Sequence, residues 1–367
     1  MNLAERIDQR GLPPLAASGL HDDIAAPTGS IGPMALPASA AASRPCPLLV
    51  LGKHVLERIA CDHATVLAAV EQAFVALGSG VSDNPRKLMC GSPEAGSVAY
   101  AMLGLDGARA TLGFKTSYKH DPAHEREQQK YYTTLLLFDD ATGLPVALMD
   151  ASGIGALRTP AVSALIAREA APHARVALIV GTGTQGRMAA PFLLSALPGI
   201  ERIIVHGRHA QGIEEVRQHL ARFDPARDIE VSTDLAAAAR QADIVLGVAG
   251  AGAPHAVPHA ALKRGALAIL VGYGIHADAL HRADYRIATS EAQMRVTGAD
   301  LADAAGELPG VDAQLPDILL GGKPARLSGD QTVFAYNSGM VVTDIALGRA
   351  LADAARARGL GEEIALW

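Results

Sequence analysis

The sequence predicts an α/β protein: a doubly wound parallel sheet joined to a second, mixed α+β domain. Three observations carry this. Short apolar runs alternate with helical patterns after residue 160, the arrangement of parallel strands joined by crossover helices. Four strand-like runs follow one another between residues 97 and 149 with no helical pattern among them, so that region forms an antiparallel or mixed sheet. One apolar strand opens directly into a glycine-rich turn, GTGTQG at 181–186.

Composition narrows the class further. A chain of 367 residues suggests about two domains. Hydrophobic residues make up 49% and charged residues 19%, enough for a large core, which excludes a disordered chain, a collagen or a coiled-coil rod. A net charge of −6 gives no basic footprint for a nucleic-acid partner. Cys46, Cys61 and Cys90 are odd in number and form no CxxC pair, which argues against a disulfide framework and for a reducing, cytoplasmic setting. The opening MNLAERIDQR mixes charges of both signs without an apolar core, unlike a signal peptide. No apolar run is long enough for a membrane span.

Taken in order, residues 1–45 hold six prolines and no aromatic residue; with so little to bury, they read as a flexible tail. Asp62 caps a helix whose Val66, Val70, Ala73, Phe74 and Leu77 recur at helical spacing, with Gly78 at its end. Strands follow at Ser97–Leu105, Ala110–Ser117, Tyr131–Asp139 and Pro145–Met149, with the charged stretch HDPAHEREQQK as a loop. An Ala-rich helix is expected over Pro160–Ala170, then the strand Val176–Val180. Strands at Arg202–Val205, Asp243–Val248, Ala266–Val271 and Tyr285–Ala288 alternate with helices such as Gln211–Phe223. Asn337–Arg358 reads as one long helix ending near Gly359.

The glycine turn has the context that gives GxGxxG its meaning: an apolar strand before it and a helix after it. Gly181 permits the tight turn, Gly183 the approach of a pyrophosphate, and Gly186 close helix–strand packing. Thr184 and Gln185 open a helix whose free N–H groups attract phosphate. This is the dinucleotide site of a Rossmann domain. Where NAD-preferring sites carry an acid at the end of the second strand, this chain reads Val205-His206-Gly207-Arg208-His209. Arg208 is suited to a 2′-phosphate, so NADP(H) is favoured over NAD(H).

Three cations of the first half sit near strands or element ends. Arg86 opens an extended segment, Lys115 lies inside the apolar strand around Gly113-Phe114, and Arg158 lies at a helix start, where the dipole disfavours it. A lysine in an apolar strand is costly without a partner. Converging, the three would bind a carboxylate; singly, each is as readily a surface charge. His120 and His124 are four apart, but Pro122 between them opposes the helix that would align them, and no metal site is expected. HExxH, GxSxG and GxxxxGK[ST] are all missing.

Several stretches together resemble the ornithine cyclodeaminase/μ-crystallin family: GFK (113–115), LLLFDDATGLPVALMD (135–150), ALRTPAVSALIA (156–167), VALIVGTGTQG (176–186), GEL (306–308) and TVFAYNSGMVVTDIALGRAL (332–351). The resemblance implies a homodimer. It also implies a substrate-binding and dimerisation domain from residues 46–160 and 330–367, with the Rossmann domain, 161–329, between them. It makes Arg86 and Arg158 holders of the substrate α-carboxylate and Lys115 the catalytic residue beside the carbon that exchanges hydride. One departure stands out. Ornithine cyclodeaminases carry an Asp two residues after the Val-Gly of a late strand, whereas Val271-Gly272 here leads to Gly274. His276 and Asp278 are the nearby groups that remain.

The expected function is therefore an NAD(P)H-dependent oxidoreductase acting on the C=N or CH–NH of a small imino or amino acid. The first alternative is an ornithine or lysine cyclodeaminase. The second is a non-catalytic, crystallin-like NADP(H)-binding protein.

Overall fold

A computed structural model describes residues 46–367 except 60, 93–96, 121–130, 251–252 and 254. The expected tail, the charged loop after His120 and the second histidine of the His120–His124 pair lie outside the described residues.

Among the described residues the first sheet has seven strands. β1 (Pro47–Leu51) precedes helix α1 (His63–Gly78), then come β2 (Leu88–Cys90), β3 (Ser97–Asp106), β4 (Thr111–His120), β5 (Tyr131–Asp139) and β6 (Pro145–Asp150). Asp62 caps α1 as expected, its side chain accepting from Thr65 N. β2 to β6 pair antiparallel in sequence order, and β1 joins β6 in parallel. Such a sheet presents one face to a core and the other outward. Lys115 and Leu135, a cross-strand pair, face inward, whereas Leu103 and Phe114, paired in the same ladder, are exposed.

Helix α2 (Ser152–Ala170) carries the chain away. It starts two turns before the expected Pro160, which lies inside it. Proline is favoured in the first helical turn, but here the buried face of the helix, from Ile154 through Ala161, Leu165 and Ala170, carries the helix past it on both sides. Arg158 is consequently an interior helical residue.

The second sheet has, among the described residues, eight strands, all paired in parallel: β7 (Val176–Val180), β8 (Arg202–His206), β9 (Glu230–Val231), β10 (Ile244–Gly247), β11 (Leu267–Leu270), β12 (Tyr285–Ala288), β13 (Ala313–Gln314) and β14 (Val333–Tyr336). Helix α3 (Thr184–Ala196) follows β7, α4 (Ala210–Phe223) follows β8, and α5 (Ala277–Arg282) precedes β12. Alternate residues of the central strands feed two separate hydrophobic clusters, Ile179 and Leu246 on one side, Leu178 and Val245 on the other. Both faces are thus buried, as parallel sheets require. The order β9-β8-β7-β10-β11-β14-β12-β13 reverses direction between β7 and β10, the switch point at which such sheets open a crevice.

β14 went unseen in the sequence, and it lies beyond the expected domain boundary at 329/330. The chain leaves the parallel sheet only after Tyr336. The expected helix from Asn337 begins later, as α6 (Val341–Ala357). Its predicted first turn is held elsewhere: Asn337 Nδ2 donates to Thr159 O and Ser163 Oγ, and Ser338 bonds Thr289. Helix α6 then lies on the inner face of the first sheet. The facing pair Gly104 and Gly113 makes room: a Cβ at Gly113 would meet Ile345 at 2.5 Å, and one at Gly104 would meet Val341 at 2.9 Å. A last strand, β15 (Glu362–Ala365), pairs antiparallel with β1.

Candidate active site

The switch point and the inner face of the first sheet each hold half of the site. The turn after β7 is built for close approach. Gly181 has φ +118, and a Cβ there would lie 2.6 Å from the Ala249 backbone, just beyond β10. A Cβ at Gly186 would lie 2.1 Å from Gly181 O, so the helix starts hard against its own strand. Gly183 has open space on its Cβ side and caps α3 without a side-chain bond. The first N–H groups of α3, Thr184 among them, are left for an anion. Thr182 fills the space over Gly207 and Gly212, which fixes the loop after β8. The resulting groove runs from Gly181 past His206 and Arg208 to Gly250 and His255. Gln185 points elsewhere: its Nε2 donates to Gly155 O at 3.2 Å, tying α3 to the first turn of α2.

The second half is ionic. Lys115 on β4 sits two residues beyond Gly113, on the same inner face. Where the two glycines let α6 descend, Lys115 Nζ meets Asp344 Oδ1 at 2.7 Å. Arg158 Nε approaches the same oxygen at 3.2 Å. Gly339 leaves room for that guanidinium, since a Cβ there would stand 3.0 Å from Arg158 Nη2. Lys115 and Asp344 are only 5% and 1% exposed, so removing either partner strands a buried charge, at about 3 to 5 kcal/mol.

Lys87 completes the cluster. Extending the ladder by one residue from Leu88↔Ala101 puts Lys87 opposite Met102, itself paired with Lys115; the three share the inner face. Its Nζ stands 5.7 Å from the centre of the Tyr100 ring. Burial, then Arg158 and Lys115, lower the Lys87 pKa to about 8, against the pull of Asp344. Burial and Arg158 also push Lys115 down, opposed by Asp344. Burial pushes the Asp344 carboxyl up, but Arg158 and Lys115 more than reverse this and hold it below its ordinary range.

Of the three cations expected to converge, the structure brings together Lys115 and Arg158. Arg86 is exposed, and no hydrogen bond or ion pair joins it to the cluster among the described residues. The reason is parity: a strand turns successive side chains to opposite faces, so Lys87 points inward and Arg86 outward. Asp344 was missed as well. The signal that had singled out Lys115, a charge inside a run of small and apolar residues, was equally present in VVTDIALG.

The two halves adjoin. Gln293 Nε2 donates to Pro85 O, and Asn84 Oδ1 accepts from Val342 N at the start of α6, clamping the Lys87 segment between the parallel sheet and α6. Burial raises the Tyr100 phenol, and Tyr131 and Tyr273 add to the rise. Tyr273, on the loop after β11 that bridges to Ala249, thus lies near Tyr100, the ring beside Lys87. On that loop Gly274 has φ +108, and a Cβ would meet Val180 Cγ1 at 2.8 Å. An Asp does not fit this backbone. His276 and Asp278 bond one another, and Asp278 also accepts from His259 N.

The family model described as "Ornithine cyclodeaminase/mu-crystallin family" matches residues 49–359. The chain belongs to this family. Among curated relatives it is 26% identical to the nodulation efficiency protein NfeD of Rhizobium meliloti, over 81% of this chain and 92% of that one. It is 27% identical to a Delta(1)-pyrroline-2-carboxylate reductase of Bacillus cereus, over 63% and 73%. Among solved structures, the Thermococcus litoralis Delta(1)-pyrroline-2-carboxylate reductase in complex with NADH and L-proline superposes with a TM-score of 0.74. It is 19% identical and covers 86% of this chain and all of its own. Among the described residues no helix is long and apolar enough to cross a membrane.

Proposed function

We propose that this protein is an NAD(P)H-dependent oxidoreductase that reduces the C=N bond of a small α-imino acid, or oxidises the corresponding amino acid. The observation that carries the reading is the buried Lys115–Asp344–Arg158 cluster, with Lys87 beside it, at the carboxyl edge of a sheet whose switch point forms a dinucleotide groove. Gly181, Gly183 and Gly186, with the N–H groups of Thr184 and Gln185, would hold the pyrophosphate. When bound, the reduced nicotinamide supplies the hydride. Lys87 and Arg158 hold the substrate carboxylate, a fixed anchor that orients the carbon next to it. Lys115 gives its proton to the nitrogen. The name of the reductase relative, and the L-proline and NADH bound to the Thermococcus protein, support the same class.

Simple reduction fits better than cyclodeamination because Gly274 stands where the cyclodeaminases' Asp would be and its backbone admits no side chain. Arg208 in the groove, with no acid on the strand end before it, favours NADP(H) over NAD(H). The exposed outer face around Leu88, Leu103 and Phe114 fits a second copy of the chain, giving a homodimer. Three free cysteines suit a cytoplasmic location.

The test is stoichiometric. With Δ1-pyrroline-2-carboxylate or its six-membered homologue, the reductase consumes reduced nicotinamide in step with product, and Lys115→Met abolishes turnover while leaving dinucleotide affinity intact. Ammonia release from ornithine or lysine with no net change in reduced cofactor overturns the reading in favour of a cyclodeaminase. Tight dinucleotide binding without turnover on any imine or amino acid points to a non-catalytic protein.

A further inference from the structure

We infer that Asp344 is the positioning residue of this reaction: it keeps Lys115 protonated and aimed, so that Nζ is a proton donor when the substrate nitrogen needs one. The inference rests on the reading of Lys115 as the proton donor and adds the group that makes this possible.

The site gathers cations. Lys87 comes from the segment before β2, Lys115 from β4 and Arg158 from α2, and each repels the others' charge. The phenol of Tyr100 on β3 stands beside Lys87, and Tyr131 and Tyr273 lie near that phenol. A lysine sealed at 5% exposure among such neighbours loses its proton readily. Among the described residues the cluster has one carboxylate to set against this, Asp344 on α6. Its geometry is suited to the task. Oδ1 takes both Lys115 Nζ and Arg158 Nε, while Oδ2 is buried and receives no hydrogen bond from the described residues. The charge is therefore not spread over backbone donors and is spent on the two cations. The same contact fixes the rotamer of Lys115, because α6 cannot move away from the glycine pair it rests on without opening the core.

The reaction balances with this proton. The imine carbon gains a hydride from the reduced nicotinamide, the π pair of C=N moves to nitrogen, and the N–H bond forms as the Nζ–H bond breaks. Lys115 is left as a neutral amine, which water reprotonates, and the cofactor is left oxidised. Without the carboxylate, burial and Arg158 act on Lys115 unopposed and it gives up its proton at lower pH, before the nitrogen can take it.

The experiment compares Asp344→Asn, which keeps the shape, with Asp344→Glu, which keeps the charge, in the full-length dinucleotide-bound enzyme. The readouts are kcat/KM for Δ1-pyrroline-2-carboxylate against pH, dinucleotide Kd, and the Nζ signal of ¹⁵N-lysine-labelled protein, assigned with Lys115→Met. Asp344→Asn is expected to lose about 100-fold in turnover, within the range of general-acid effects, with unchanged dinucleotide Kd. The fall of activity with rising pH, and the Lys115 titration, are expected to move at least about one pH unit toward acid. Asp344→Glu is expected to restore the pH profile.

If Lys115 titrates at the same pH in Asp344→Asn as in the unaltered protein, the inference is overturned while Lys115 remains catalytic. If Asp344→Glu is as impaired as Asp344→Asn and its profile is unshifted, shape rather than charge is at work, which also overturns it. If Lys115→Met still turns over, the proposed function itself falls. Should Asp344→Asn not fold, the Glu variant and the titration of Lys115 in the unaltered protein decide: a Lys115 neutral at physiological pH beside an intact Asp344 overturns the inference.

Discussion

The dinucleotide groove and the cationic cluster are neighbours built on opposite plans. The groove is made of backbone: Gly181, Gly183 and Gly186 lie within six residues, and their lack of side chains is what shapes it. The cluster is made of side chains, and Lys115 and Asp344 are separated by 229 positions. A local motif depends on φ, on close approach and on a helix end, all of which neighbouring residues determine. A long-range ion pair depends on how a helix lies on a sheet, which here turns on two glycines opposite each other in β3 and β4. At Gly181 and Gly186 the groove tolerates almost no added atoms; the cluster tolerates almost no missing charge.

That contrast can be broken in three places. Gly186→Val puts a Cβ 2.1 Å from Gly181 O. Overpacking of this kind is expected to weaken dinucleotide binding about 100-fold, measured by titration calorimetry, with the cluster intact. Unchanged affinity would mean that the groove is not backbone-limited.

The second place is the pair Arg86 and Lys87. Lys87→Met is expected to raise KM about 30-fold with little change in kcat, the value of a charged hydrogen bond. Arg86→Met, outside the cluster, is expected to change KM by no more than about twofold. Equal effects would return Arg86 to the site. A pH series sharpens this. The Lys87 pKa is lowered to about 8, so its charge is present below that pH and lost above it, and carboxylate affinity falls as pH rises through about 8. Lys87→Arg keeps its charge throughout and removes that limb.

The smallest effect belongs to Arg208, which is exposed at the groove. Arg208→Asp is expected to shift the NADP(H)/NAD(H) preference about tenfold toward NAD(H), as one lost charge-assisted contact would. Steady-state kinetics with both cofactors check it.

The contrast also explains what could be read from the amino-acid sequence. The parallel sheet, its switch from VALIV to GTGTQG and the antiparallel run of strands were legible because period and turn chemistry are local signals. β14 was missed because VFAY is four residues beside a helical pattern. β15 was missed because its residues are all exposed and carry no alternation. The start of α2 was misplaced because Pro160 looks like a first-turn residue, and tertiary burial outvoted it. Within the cluster, Lys115 and Arg158 were legible as misplaced charges. Choosing between Arg86 and Lys87 required the strand register, and that comes from the pairing of Leu88 with Ala101 rather than from either residue.

The placement of Asp344 on a helix near the end of the chain has a consequence for synthesis. Ribosomes add roughly 5 to 20 residues per second, and 229 positions lie between lysine and carboxylate. For about 10 to 50 seconds the nascent first sheet therefore carries Lys115 without its counter-ion and without the helix that covers it. The Lys115–Asp344 ion pair thus becomes possible among the last features of the new molecule, after the glycine turn has been synthesised.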